Sequence, residues 1–357
     1  MRKFKGLKTT LCAAAAICLA TAVPASAENF RITVATGHAT HLPWIKAIKE
    51  FYIPEANRRL AANGRHKIVW TEAYGGTLAK VGGVLEAVRS GVAEMGFVYT
   101  IFEPANLPLL AVSFIAPFGS DNVVDATDIS REMHEKLPEL RAQWSKHNQV
   151  FLGAVATDTN YLLTKFPVKS IDDVKGRKLG GAGTVSLWLS GVGAVPVQGN
   201  FATHFNNIKT GVYDGLIGFT TGMFPAKLHQ VAPYATKVNF GSLQMGAISI
   251  NKALHEKLPA EVRKTLREVG RDYSTKVSRT MLGLAKIFEK KMGQMGTKFS
   301  QLPAAERKRW AMTMPNIAKN WVDRNEKRGL AAKKVLSTYL DLLRARGVTP
   351  ARDWDQN

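Results

Sequence analysis

Two histidines three positions apart, a glycine-rich turn and a lysine at a helix start are the groups whose type and spacing could do chemistry in this chain. His38 and His41 follow an alternating apolar stretch, residues 30–36, so they stand in the loop at a strand's carboxyl end. Two imidazoles at that spacing could begin a metal site, but no third ligand or carboxylate lies nearby in sequence, so they are read as ligand contacts or structural groups, and no metal is expected. The turn at 180–186, Gly180-Gly181-Ala182-Gly183-Thr184-Val185-Ser186, follows a short strand and opens an apolar helix through Trp188. It contains part of a dinucleotide fingerprint, yet residues 174–213 hold no Asp or Glu for a ribose, so no nucleotide cofactor is expected. The Gly181 to Thr184 amides could instead meet an anionic or carbonyl group. Lys80 opens a helix, where a cation is disfavoured; it reads either as a ligand contact or as a solvated lysine. A second strand-end turn, 219–222, places Phe219 beside Gly218 and Thr220, and marks Phe219 as a ligand neighbour. Tyr99 and Trp188, with Phe102, Tyr161 and Phe224, would make a cleft unusually apolar; Trp188 reads equally well as core.

The familiar catalytic patterns are missing: no Gly-x-Ser-x-Gly, His-Glu-x-x-His or phosphate-binding loop occurs. The only cysteines, Cys12 and Cys18, lie in the first 27 residues. Those residues read as a cleavable export signal, with Arg2, Lys3, Lys5 and Lys8 ahead of an apolar run and Ala25-Ser26-Ala27 at the cleavage site. A periplasmic protein without disulfide or thiolate chemistry is expected, and not an enzyme. The net charge of +21 favours anionic partners. The basic residues are spread along helices, not gathered in aromatic-interleaved blocks, so anionic solutes or acidic headgroups are expected and nucleic acid is not.

The groups above need strands ending in turns, and the chain supplies them. Residues 30–36, 66–74 and 94–99 read as strands separated by helices starting at Pro43 and Lys80, a parallel α/β pattern with right-handed crossovers. Residues 101–118 form an apolar, proline-rich connection and 121–144 one long helical stretch. A strand at 149–158 leads out of the first unit. Residues 170–219 repeat the α/β pattern, with a buried strand at 194–197, a helix near 201–210 and a strand at 216–219. A helix at 223–231 and one long extended run at 234–251 follow, the latter crossing between units. Pro259 opens a long amphipathic helix, and Pro303 a final helical region kinked at Pro315.

This order resembles the substrate-binding subunits of TRAP transporters, the DctP family. The resemblance rests on Gly75-Gly76-Thr77-Leu78, Leu85-Glu86-Ala87-Val88-Arg89-Ser90-Gly91, Ile171-Asp172-Asp173-Val174-Lys175-Gly176-Arg177-Lys178-Leu179, Gly193-Ala194-Val195-Pro196-Val197, Thr210-Gly211-Val212-Tyr213-Asp214-Gly215 and Leu258-Pro259-Ala260-Glu261. It implies an α/β two-lobe periplasmic binding protein fold (type II-like) with crossing strands, a long helix spanning both lobes and a helical C-terminus. The lobes would comprise 28–157 with 244–283, and 158–243 with 284–357. It further implies a monomer that captures a small organic solute and passes it to TRAP membrane subunits. One departure matters: the family's carboxylate-clamping arginine falls on Gly180, its second basic position on Asn160, and a polar ligand-touching position near Gly218. An organic acid with an apolar or aromatic body, held by Lys80, His38 or His41, Asn160 and the Gly181 to Thr184 amides, is the expected ligand. A neutral or zwitterionic solute is the alternative.

Overall fold

The computed structural model describes residues 28–62, 64 and 66–356. The expected export signal with Cys12 and Cys18, and Asn63 of the expected loop, lie outside the described residues. Among the described residues eleven strands are distributed over two sheets: β1 (Glu28–Thr36), β2 (His66–Ala73), β3 (Met95–Val98), β4 (Gln149–Ala156), β5 (Asn160–Thr164), β6 (Lys178–Gly181), β7 (Val195–Gln198), β8 (Gly215–Phe219), β9 (Tyr234–Lys237), β10 (Gln244–Asn251) and β11 (Lys298–Gln301). The first sheet has the order β2-β1-β3-β10-β4 and the second β11-β9-β5-β8-β6-β7. Each sheet is the floor of one lobe.

The parallel pattern holds for β1 with β2 and β3, and for β6 with β7 and β8. It fails where the chain changes lobes. β10 runs antiparallel to β3 and β4, and β5 antiparallel to β8 and β9. The chain passes from β4 to β5 and back from β9 to β10, so each sheet receives a strand arriving from the other lobe. The expected single run over 234–251 is therefore two strands in different sheets. Asn239 and Gly241 break it with left-handed φ of 56° and 102°.

Prolines and glycines explain most other departures. The helix from Pro43 continues to Ala62, but residues Ile48–Tyr52 form a π-helical turn just ahead of Pro54. Pro54 has no N–H for the regular ladder, and the wider turn absorbs its ring. The expected helix over 121–144 is two, Val123–Lys136 and Pro138–Lys146, because Leu137 takes an extended conformation before a proline. Gly82 and Gly83 delay the helix expected from Lys80, which starts at Val84 after a 3₁₀ turn. Residues 183–189 form 3₁₀ turns in place of an α-helix. At 223–231 there is a short turn, Thr220–Met223, then a 3₁₀ turn, with Lys227 left-handed between them. Pro315 ends a helix outright: Ala304–Thr313 stops before it and Ile317–Glu326 starts after it. β7, expected to be buried, is a largely exposed edge strand. β11 was not expected; four residues with little apolar content give no signal.

The 35-residue helix Ala260–Gln294 is anchored in both lobes. Toward its start, Tyr273 donates its hydroxyl to Trp44 O at 2.8 Å, and Tyr52 to Leu266 O at 2.9 Å. Toward its end, Glu289 accepts from the Tyr161 hydroxyl (2.8 Å) and from Lys237 Nζ (2.7 Å). The C-terminal segment touches both lobes as well. Glu306 accepts from Ile171 N–H and Arg309 pairs with Asp172 on one side. Ile317–Glu326 and Ala332–Arg344 pack on Val112–Ile115 and Val123–Lys136 on the other.

Candidate functional site

The ends of the strands face each other across the lobes and enclose a cavity. From the first lobe come His38, Trp44, Tyr99, Ile101, Phe102 and Phe114, and from the second Asn160, Ala182, Val185, Phe201, His204 and Phe219. Its volume is about 40 Å³ counted as room for the centres of water molecules. Among its described lining residues there is no Lys, Arg, Asp or Glu.

β1 delivers His38. Thr36 Oγ1 donates to His38 O (2.7 Å), and the Gly75 N–H donates to the same oxygen (3.0 Å). Gly37 is required here, since a Cβ would lie 2.4 Å from Val81 Cα. The His38 ring is 94 % buried and edge-on to Tyr99 at 4.7 Å, and neither ring nitrogen has a hydrogen-bond partner among the described residues. Burial, and secondarily His41, pull its pKa down to about 4. Tyr99, at the end of β3, accepts from Trp44 Nε1 (2.9 Å), and burial raises its phenol further.

The second lobe presents aromatic rings and neutral polar groups. Phe219 ends β8 and sits 5.7 Å from Trp44 and 5.1 Å, edge to face, from Phe201. Phe201 reaches this position over Gly222, whose hypothetical Cβ would lie 2.3 Å from its Cζ. His204 bonds through Nδ1 to the Tyr213 hydroxyl at 2.5 Å, and burial lowers its pKa to about 3. Asn160 opens β5 and holds the crossing strands together: Nδ2 donates to Gly241 O (3.0 Å) and Thr157 Oγ1 (3.1 Å). A carbonyl only accepts, so Gly241 fixes the amide's orientation and leaves Oδ1 as the group Asn160 can offer a ligand. Behind the cavity, buried Asp158 accepts from Thr221 N–H and Oγ1, and desolvation raises its pKa to about 6.

The residues singled out from sequence divide between this cavity and its surroundings. His38, Tyr99, Asn160, Gly218 and Phe219 line it. His41 lines a neighbouring hollow that shares His38 and Phe201. Lys80 is exposed at the surface, beside Gly76. Trp188 is core: its Nε1 donates to Phe114 O (2.8 Å) and its ring stacks on Phe240. Thr220 is buried off the cavity with an unpartnered hydroxyl, as is the hydroxyl of Thr184. Gly180 and Gly181 are in β6 outside the lining, and at Gly180 a side chain would start 2.9 Å from the Tyr213 ring. Tyr213 and Leu216 thus occupy the space into which any side chain at 180 would grow. Gly183 (φ 51°) presses on the other lobe, where a Cβ would lie 2.1 Å from Ile101 O. Sequence reading missed Trp44, read only as the inner side of its helix, and Ile101, Phe114, Phe201 and His204. Of these only His204, with Tyr213 just beyond the same short helix, left any polar signal.

Two α/β lobes joined by crossing strands and closed over a small buried cavity define a solute-binding protein. Residues 37–325 match the DctP family, described as bacterial extracellular solute-binding protein, family 7, and the chain belongs to that family. It is 28 % identical over 173 residues to the C4-dicarboxylate-binding periplasmic protein DctP of Rhodobacter capsulatus, a match covering 47 % of this chain and 51 % of that protein. The chain thus spans about half the length of that relative. Its fold is similar to that of a TRAP solute-binding protein of Rhodoferax ferrireducens T118 in complex with copurified benzoate (TM-score 0.78, 18 % identity, 89 % of this chain and 98 % of that one). It is similar too to an extracytoplasmic solute receptor of Bordetella pertussis binding pyroglutamic acid (TM-score 0.76, 16 % identity, 88 % and 99 %).

Proposed function

We propose that this chain is the exported receptor of a TRAP-type transporter. It captures a small organic acid with an apolar or aromatic body between its lobes and delivers it, unreacted, to membrane subunits. The observation that carries this reading is the cavity itself: an aromatic box of Trp44, Tyr99, Phe201 and Phe219 with polar groups at a few points only. Such a box suits a flat, mostly apolar ligand, the pattern usual in small-molecule sites. The benzoate and pyroglutamic acid named for the two structural relatives are small ring acids. Residues 28–157 with 244–283 and residues 158–243 with 284–357 are the two bodies that close, the C-terminal segment also reaching across to the first. Closure is a population shift drawn by contacts from both sides of the ligand. Residues 1–27 direct export and are removed after Ala27.

Thermal unfolding of the chain from residue 28, with each acid set beside its amide, tests the reading. A ligand at about 100 times its Kd adds about 2.7 kcal/mol, or about 4 °C for a chain of this length. Shifts by benzoate or pyroglutamate and not by benzamide or pyroglutamide support it. Shifts by the amides alone mark a receptor for neutral solutes, the reading that the uncharged lining would then favour.

A further inference from the structure

The cavity raises a charge problem. A carboxylate moved from water into a closed apolar site without a cation carries a desolvation penalty of at least several kcal/mol. No described lining residue is charged. Yet one lining group is conspicuously underused: His38, buried in the wall with two ring nitrogens that have no partner among the described residues. A buried polar group left without partners is destabilising by roughly 1–3 kcal/mol, so its retention points to a partner that arrives with the ligand.

We propose that the cavity takes its organic acid together with one proton, shared between the acid's carboxyl group and His38, so that the occupied site is electrically neutral overall. This deepens the reading above and rests on it. The acid arrives as its anion, His38 starts neutral, and the proton comes from solvent. The complex therefore holds either a carboxylic acid against neutral imidazole or a carboxylate against imidazolium, two forms of one composition.

The surrounding groups leave His38 as the proton's place. On its own loop His41 is exposed in the neighbouring hollow and disfavours a bare imidazolium at His38, while Lys80 lies exposed beyond Gly76, at the surface. Tyr99, at the ring edge, already accepts from Trp44, so it has a hydroxyl proton to give and none to take. Across the cavity, His204 is engaged by Tyr213. Asn160 offers an acceptor oxygen, which suits a ligand that brings an O–H. The buried acid Asp158 is outside the lining and turned toward Thr221. A protonated His38 and a protonated His204 would repel each other in this low-dielectric space, which limits the uptake to one.

Calorimetric titration with benzoate and with pyroglutamate at pH 7, in phosphate and in Tris, reads the number of protons directly from the dependence of the binding heat on the buffer. About one proton taken up per acid is expected, and Kd then rises about tenfold per pH unit between pH 6 and 8. His38→Gln keeps the size and a hydrogen-bonding amide but accepts no proton; it is expected to bind the acid at least tenfold more weakly at pH 6 with a thermal midpoint no lower than that of the parent. Acid binding without proton uptake, or uptake and affinity unchanged in His38→Gln, overturns the inference while leaving the receptor reading intact. If neither acid binds, both fall together.

Discussion

Gly183 offers a way to hold the lobes apart with one methyl group. At this position φ is 51°, and a Cβ would lie 2.1 Å from Ile101 O and 2.9 Å from both the Ile101 carbonyl carbon and Cγ1. An ordinary carbon–oxygen contact is more than 1 Å longer, and two of the three obstacles are backbone, which cannot swing aside as a side chain can. The left-handed conformation itself adds about 1–2 kcal/mol for an alanine, wherever the lobes are. The clash is present only when they are shut. If it raises the closed state by about 3 kcal/mol relative to the open one, affinity for a ligand that needs closure falls by about two orders of magnitude. Gly176 is the control. It has φ of 69° with nothing within 4 Å of its hypothetical Cβ, so Gly176→Ala carries the backbone penalty without the clash. Titration calorimetry of the two variants with the same acid, alongside small-angle scattering with and without it, should show Gly183→Ala weakened about a hundredfold and unable to compact. Gly176→Ala should bind as the parent does. Equal affinity and equal compaction in Gly183→Ala would refute the reasoning, because the lobe contact at Ile101 would then be dispensable to binding.

Acid should destabilise the free protein through its buried neutral histidines. Burial holds His38, His134 and His204 near 4, 4 and 3, below the usual value, so the folded state stays neutral where the unfolded chain is protonated. Their stability contribution is complete above pH 6.5 and is lost as pH falls toward those values, about 1.4 kcal/mol per pH unit for each; urea unfolding between pH 7 and 5 checks it, and His38→Gln should remove one share of the slope. Asp158 has the opposite sign. With its folded pKa raised to about 6, its contribution is complete below the ordinary carboxyl range and lost as pH rises through 6, so Asp158→Asn should gain about 3 kcal/mol at pH 7 and none at pH 4. Phe201→Ala removes the ring that bridges Phe219 and Gly222 and should weaken ligand binding at least tenfold by calorimetry. Lys80→Ala, at the exposed surface, should change it less than twofold.

The residues that were legible in the sequence are those tied to a period or a terminator. Alternation gave β1 and β2, the three-and-four spacing from Val262 to Met292 gave the long helix, and glycines marked the strand ends that bear His38 and Phe219. The helix breaks at Leu137 and Thr313 were less legible because apolar periodicity continues through both, while the following proline decides the backbone. The cavity was half legible for a related reason. Tyr99, Asn160 and Phe219 sit at strand ends, which sequence pattern locates. Ile101 and Phe114 sit in single helical turns and Phe201 in a loop, segments too short to show a period, so their side-chain directions follow from tertiary packing. The 3₁₀ turns at 183–189 show the same limit, for it is Trp188 bonding to Phe114 O in the opposite lobe that fixes them.

The C-terminal tryptophans carry one further consequence. Trp310, Trp321 and Trp354 each donate an indole N–H to a carbonyl elsewhere, at Trp188, Pro108 and Pro117 respectively. The first of those carbonyls belongs to the second lobe and the other two to the first, so the tail works as a tether running alongside the two strands and the helix that join the lobes covalently. Bodies tethered in this way never become independent particles. Bringing them together forfeits none of the translational freedom that two separate molecules lose on association, a loss of at least about 4 kcal/mol in solution. The facing walls stay at high effective concentration throughout. A ligand of a dozen atoms, touching each wall through a few rings and one polar group, is then enough to tip the balance between open and shut.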